Sequence, residues 1–146
     1  MFIEQIEGKL YELLYVECSR SICNESKKHD DEIKLWREMN DGMDFVYKSC
    51  KPETNKFGIF GIQVAGKMMH LNILIKDADN IHRLYHLYST KIPIRSSDLN
   101  DVFNFVKLLL LLRNNMIVNI SLLMHAPSVR SDRSLKRQKG TTISSN

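Results

Sequence analysis

The sequence predicts a mixed α/β layered domain, a central sheet flanked by two long helices. Three observations carry this. Ile33, Trp36, Met39, Met43, Val46 and Cys50 recur at three- and four-residue intervals, one apolar stripe over about five helical turns. The block from Phe57 to Ile92 is rich in β-favouring residues and is punctuated by Gly58, Gly61 and Gly66. A Leu-rich run from Leu99 to about Met124 follows a Ser-Ser-Asp cluster that suits a helix start. The resulting order is strand-strand, helix, strand-strand-strand, helix, a pattern that packs as layers around one sheet.

At the N-terminus, helical spacing of Ile3, Ile6, Leu10, Leu13 and Leu14 competes with a hairpin. A glycine inside a helix costs about 1 kcal/mol relative to alanine, whereas Gly8 suits a turn. The preferred reading is a strand over Phe2–Ile6, a turn at Glu7-Gly8-Lys9, and a longer strand over Leu10–Cys18. Ser21–His29 is polar and reads as a loop, with Asp30 as N-cap of the first helix and Asp31 and Glu32 adding negative charge to its first turn. Lys51-Pro52 ends that helix, because the residue before proline is driven out of the helical region. Phe57–Ala65 and Met68–Lys76 form two strands about Gly66-Lys67, a two-residue turn with glycine first, as type II′ requires. Asp77–Asn80 is a turn and Ile81–Ile92 a further strand. In the final helix Val102, Phe103, Val106, Leu109, Leu110, Met116 and Ile117 supply an apolar face, and Asn104, Lys107, Arg113 and Asn114 a wet one.

With 146 residues the chain is expected to form one domain over 1–126 and a disordered basic tail over 127–146. The net charge of +4 resides in the tail, where Arg130, Arg133, Lys136, Arg137 and Lys139 face one acid, Asp132. Met1–Ala126 carries 16 bases and 16 acids, so the body has no net field to attract phosphate. Nucleic acid is therefore an expected partner only through those five tail residues, with weak and salt-dependent affinity, and deletion of 127–146 is the direct test. Three cysteines, Cys18, Cys23 and Cys50, without a C-x-x-C pair, indicate neither a disulfide framework nor a zinc module. The opening residues carry Glu4, Glu7 and Glu12 and lack a secretory pattern. The longest uninterrupted apolar run, Leu108–Leu112, is bracketed by Lys107 and Arg113 and is far below the roughly 20 residues of a bilayer span. The expected location is accordingly intracellular, in cytoplasm or nucleus, with no membrane partner.

The strongest chemical feature is the head of the strand Leu10–Cys18. Alternate residues share a strand face, which sets Tyr15, Glu17 and Ser19 on one side. His82 and His86 stand four apart, two metal-competent imidazoles without a third ligand at recognisable spacing. Gln63 reads as a hydrogen-bonded strand residue beside a cleft, and Trp36, Met39, Met43, Met68 and Met69 as core. No G-x-x-x-x-G-K-[ST], G-x-G-x-x-G or G-x-S-x-G pattern occurs.

The series YELLYVECSR, DDEIKLWREMNDGMDFV, FGIFGIQVAGKMMHLNILIKD and DNIHRLYHLYSTKIPI, closed by a Leu-rich helix, resembles a set of uncharacterised, lineage-expanded fungal proteins. Their core is similar to the PD-(D/E)xK restriction-endonuclease-like fold, and the likeness spans residues 9–124. The resemblance implies a divalent-metal-dependent phosphodiesterase site in which Glu17 occupies the place of the metal-binding Glu. Such a metal, Mg²⁺ if the nuclease reading holds, would lower the pKa of bound water and stabilise charge on the phosphate. The motif then departs from this pattern: two residues after Glu17 stands Ser19 where the family has Lys, and Arg20, the nearest base, falls on the opposite face of a regular strand. The upstream metal-binding Asp has no counterpart, so the first strand or strands of that fold are expected to be missing. The resemblance thus implies a truncated or degenerate, non-catalytic binding or interaction module, with a nuclease using Glu17 and Arg20 as the alternative. It also implies a protein partner or homodimer through the sheet edge left bare by the missing strand.

Overall fold

The computed structural model describes residues 2–4 by their backbone, and residues 8–19 and 24–127 in full. The tail bases Arg130, Arg133, Lys136, Arg137 and Lys139, together with Arg20 and Cys23, lie outside the described residues.

The chain runs β1 (Phe2–Glu4), β2 (Leu10–Glu12), β3 (Leu14–Cys18), α1 (Glu25–Ser49), β4 (Gly58–Ala65), β5 (Met68–Lys76), β6 (His82–Lys91) and α2 (Leu99–Met124). The predicted mixed α/β class therefore holds. The main sheet has the order β3-β4-β5-β6, with β3 parallel to β4 and both remaining pairs antiparallel. Helix α1 is the crossover that a parallel pair requires. The N-terminal hairpin also forms: β1 pairs antiparallel with β2, and Gly8 has the positive φ that a turn exploits. The expected continuous strand over Leu10–Cys18 is interrupted at Leu13, however, so that β2 belongs to a separate two-stranded sheet and β3 joins the main one without it, as one of its two edges. The carbonyl of Leu13 accepts from Phe60 N–H at 2.9 Å while its side chain is fully buried, which anchors the break in the core.

Helix α1 begins six residues earlier than Asp30 suggested. Asn24 is its N-cap, its side-chain oxygen accepting from Lys27 N–H at 2.8 Å, and Glu25–His29 are helical rather than loop. The shift also corrects the buried stripe: Asp31, Leu35, Met39, Gly42, Met43 and Val46 face inward, Ile33 is half-buried and Trp36 is exposed. Leu35 wins over Trp36 because Gly61 lies beneath it. A Cβ there would clash with Met39 Sδ and meet Leu35 Cδ2 at 3.3 Å, so the bare backbone lets α1 approach the sheet closely.

The β4–β5 turn is as expected, with Gly66 at φ +63 and no positive φ at Lys67, the sign pattern of type II′. Asp77 organises the next turn by accepting from the backbone of Asp79 at 3.0 Å and Ile81 at 2.8 Å. The pairing of β6 on β5 slips between Leu71 and Asn72: Leu71 faces Tyr88, Asn72 faces His86, and Leu87 is left as a bulge.

The two helices cover opposite faces. Tyr15, Gly61, Gln63, His70 and Asn72 point toward α1, whereas Ile62, Leu71 and Tyr88 point toward α2, where Tyr88 donates to Asn104 at 3.2 Å. Helix α2 starts at Asp98, whose side chain accepts from Asp101 N–H at 2.8 Å. Its buried residues are Leu108, Met116, Asn119 and Leu123. Of the apolar face expected from sequence only Met116 is buried, and Val102, Phe103, Val106, Leu109, Leu110 and Ile117 are exposed. By length and composition α2 is apolar enough to cross a bilayer, which its longest uninterrupted run did not indicate, because its polar residues are spaced rather than absent.

Candidate functional site

The α1 face of the sheet becomes polar toward the N-terminal end of the helix. On β3 the period-two reading holds: Tyr15 lies against Gly42, Glu17 meets Lys34 and Ser19 meets Asp31, all partners on α1. Because α1 is capped at Asn24, Lys27, Asp31 and Lys34 form the polar head of the same stripe that carries Leu35, Met39 and Val46.

Four charges therefore alternate around the end of β3. Glu17, whose side chain is 15% exposed, is ion-paired to Lys34, which also stands 3.8 Å from Glu38. Asp31, 5% exposed, accepts from Ser19 Oγ and from Lys27 Nζ at 2.5 Å. The hydrogen bond from Lys27, reinforced by that from Ser19, holds the Asp31 carboxyl below its ordinary range, and the partner carboxylates hold Lys27 and Lys34 above theirs. Glu17 thus finds a cation on the helix, 17 positions along the chain, whereas Arg20 lies outside the described residues. Local sequence patterns do not mark Asp31 and Lys34, since Asp31 reads as a first-turn charge. The signal that identifies them is Asn24 as cap, which puts positions 27, 31 and 34 on one helical face.

Beside this cluster a row of side chains crosses the sheet. Glu17 faces Gln63, Gln63 faces His70, and His70 faces Ser89. Gln63 is buried and donates to the Lys28 carbonyl at 2.9 Å, the hydrogen-bonded strand residue expected from the sequence. His70 Nδ1 lies 2.7 Å from Ser89 Oγ, Ser89 Oγ 2.9 Å from His86 Nε2, and His86 Nδ1 3.1 Å from Asn72 Oδ1. The carboxamide oxygen accepts from His86 Nδ1–H, which leaves Nε2 as the acceptor for the Ser89 hydroxyl, whose oxygen then accepts from His70 Nδ1–H. The Leu87 bulge is what allows this: residues 86 and 89 would otherwise lie on opposite faces. Glu32, Gln63, His70, Asn72, Leu84 and His86 line a cleft of about 450 Å³. A hydroxyl, an imidazole and a carboxamide in this connectivity parallel an acyl-transfer triad. Here Ser89 is held from both sides, and the imidazoles rather than the hydroxyl line the cleft, so the arrangement offers hydrogen-bonding groups to a ligand.

His82 and His86 do not form a pair. Four residues along a strand separate them by about 13 Å, and His82 Nδ1 is instead 2.7 Å from Asn40 Oδ1, with Asp44 3.9 Å from its other nitrogen. Among the described residues no three His, Cys, Asp or Glu side chains gather as a metal-binding group.

Burial pushes the imidazoles of His70 and His82 below their ordinary value, and His86 pushes His70 the same way. The unfolded chain then binds more protons than the folded one. These groups add stability above the unfolded histidine value near pH 6.5, and that stability is lost as pH falls through the folded values. Urea midpoints are expected to decline from pH 7 to 5, above the range in which Asp31 and Asp77 protonate. The decline should be shallower in a His70→Gln/His82→Gln variant, and identical slopes would show that the two imidazoles are not its source.

No family model, no curated protein and no solved structure matches this chain.

Proposed function

We propose that this domain is a non-catalytic binding or interaction module built on a restriction-endonuclease-like core. One observation carries the reading: the two carboxylates at the head of β3, Glu17 and Asp31, are each neutralised by a lysine of α1. A hard divalent cation takes most of its ligands as anionic or carbonyl oxygens. At this site it would have to displace two ammonium groups, and among the described residues no third acid gathers with the two into a metal-binding group. The residues present therefore do not fit the Mg²⁺ that the resemblance implies. The α1 face instead offers a charge-balanced, hydrogen-bonding surface continuous with the cleft at His70 and His86, suited to a polar partner.

The nuclease reading gains one specific support. Lys34 places on Glu17 the amine that Ser19 fails to provide at the family's lysine position, with Asp31 as a second carboxylate. The two readings separate in one assay. Supercoiled plasmid and single-stranded DNA are incubated with the protein and millimolar Mg²⁺ or Mn²⁺. Nicking is expected to stay at the level of a Glu17→Ala/Asp31→Ala control. Metal-dependent cleavage that disappears in Glu17→Ala would overturn the non-catalytic reading.

A further inference from the structure

Helix α2 leaves an outward stripe uncovered. Leu99, Phe103, Val106, Leu110, Ile117 and Met124 are 88%, 67%, 45%, 52%, 51% and 49% exposed. With the exposed Arg113 and half-buried Ile120 they occupy every position of a 4-3-4-3 spacing from the first residue of the helix to the last. That spacing is the seam of a helix pair, in which a repeat of 3.5 residues keeps one face against its neighbour. Val102, Leu109 and Val118, 40–57% exposed, widen the face. We propose that this seam is a homodimer interface, in which α2 of a second copy packs antiparallel across a two-fold axis.

The register of the helix selects this occupant. Aligned antiparallel so that the two 26-residue helices overlap end to end, Leu99 meets Met124, Phe103 meets Ile120, Val106 meets Ile117 and Leu110 meets Arg113 of the second copy. All eight positions find a partner. The one charged position is never set opposite itself: each Arg113 lays its aliphatic stem on a leucine and carries its guanidinium to the rim, beside Asn114. A two-fold contact must be self-complementary in this way. The helix is about 39 Å long, and nine large apolar side chains about half exposed amount to several hundred Å² per copy. That is at the upper end of a typical monomer's largest patch, about 300–600 Å², and approaches the roughly 800 Å² each partner gives a standard interface. A lipid surface would require apolar area but no 3.5-residue repeat. The seam lies on the opposite side of the sheet from Glu17 and is independent of the function proposed for that site.

Light scattering coupled to size exclusion, on the full chain at tens of micromolar, is expected to give twice the 17.0 kDa monomer mass. A Phe103→Glu/Ile117→Glu variant should run as a folded monomer, its circular dichroism unchanged because both side chains are exposed. Register is read separately: V106C and I117C variants, mixed and treated with a short bis-maleimide, should cross-link to each other far more than either does to itself. The proposal is overturned by a parent of monomer mass, by a dimer that persists in the double-glutamate variant and so uses a sheet edge, or by cross-linking indifferent to position. It is equally overturned by a monomer that co-sediments with vesicles of phosphatidylcholine and phosphatidylserine, which would assign the face to lipid.

Discussion

Replacing Asn119 with leucine is expected to destabilise the domain by about 3 kcal/mol, although leucine is the better helix former and the site is buried. Asn119 is 3% exposed and works as a strand rather than as a helix residue. Its side-chain oxygen accepts from Gly58 N–H at 3.1 Å and its amide donates to Gly58 C=O at 3.0 Å. Those two backbone groups have no strand partner on the β3 side, because the β3–β4 ladder begins only at Leu14 and Phe60. Leucine would leave both buried and unpaired, at about 1–3 kcal/mol each, partly offset by its apolar contacts. Urea denaturation checks this: the midpoint should fall by about 1–2 M with the slope unchanged. A fall below about 0.3 M would mean that the carboxamide is dispensable.

Phe60→Ala should cost about 4 kcal/mol, within the range for deleting a buried phenyl ring. Phe60 is fully buried on the α2 face of β4, opposite Ile73, and its amide closes the contact with Leu13 where β2 gives way to β3. The cavity would open at the junction between the small hairpin and the main sheet, which little side-chain relaxation can close. A drop of roughly 10–20 °C in the thermal midpoint is expected for a domain of this size. Trp36→Ala is the matched comparison. Sequence periodicity assigns Trp36 to the core, but the ring is 45% exposed, and its loss should cost less than half as much. Equal costs for the two variants would contradict the placement of α1 on the sheet.

The candidate site was legible where it depends on local periodicity. Strand alternation alone puts Tyr15, Glu17 and Ser19 on one face, and α1 indeed meets all three. It was illegible where the partner comes from elsewhere. Lys34 and Asp31 reach Glu17 and Ser19 only through the crossover that lays α1 on the sheet. Ser89 joins His86 only because one residue, Leu87, falls out of register.

Legible in the sequence were the order of elements from α1 onward, both turns of the β4–β5–β6 meander, the Ser96–Asp98 cluster that caps α2 and the proline-bounded end of α1. Each follows from interactions within a few residues: a positive φ that glycine accepts, a side chain reaching the third backbone amide, a ring that excludes the helical region. The spacing of Met39, Met43, Val46 and Cys50 already marks the inner side of α1, whereas the inner side of α2 depends on what packs against it. Helix α2 is apolar around most of its circumference, so periodicity could not choose between the arc of Phe103 and Leu110 and the arc of Leu108, Met116 and Leu123. The sheet chose: only the second arc carries Asn119, which supplies the two hydrogen bonds that the buried start of β4 lacks from β3. Burying an unpaired peptide group costs more than leaving leucine in water, and that difference turns the helix.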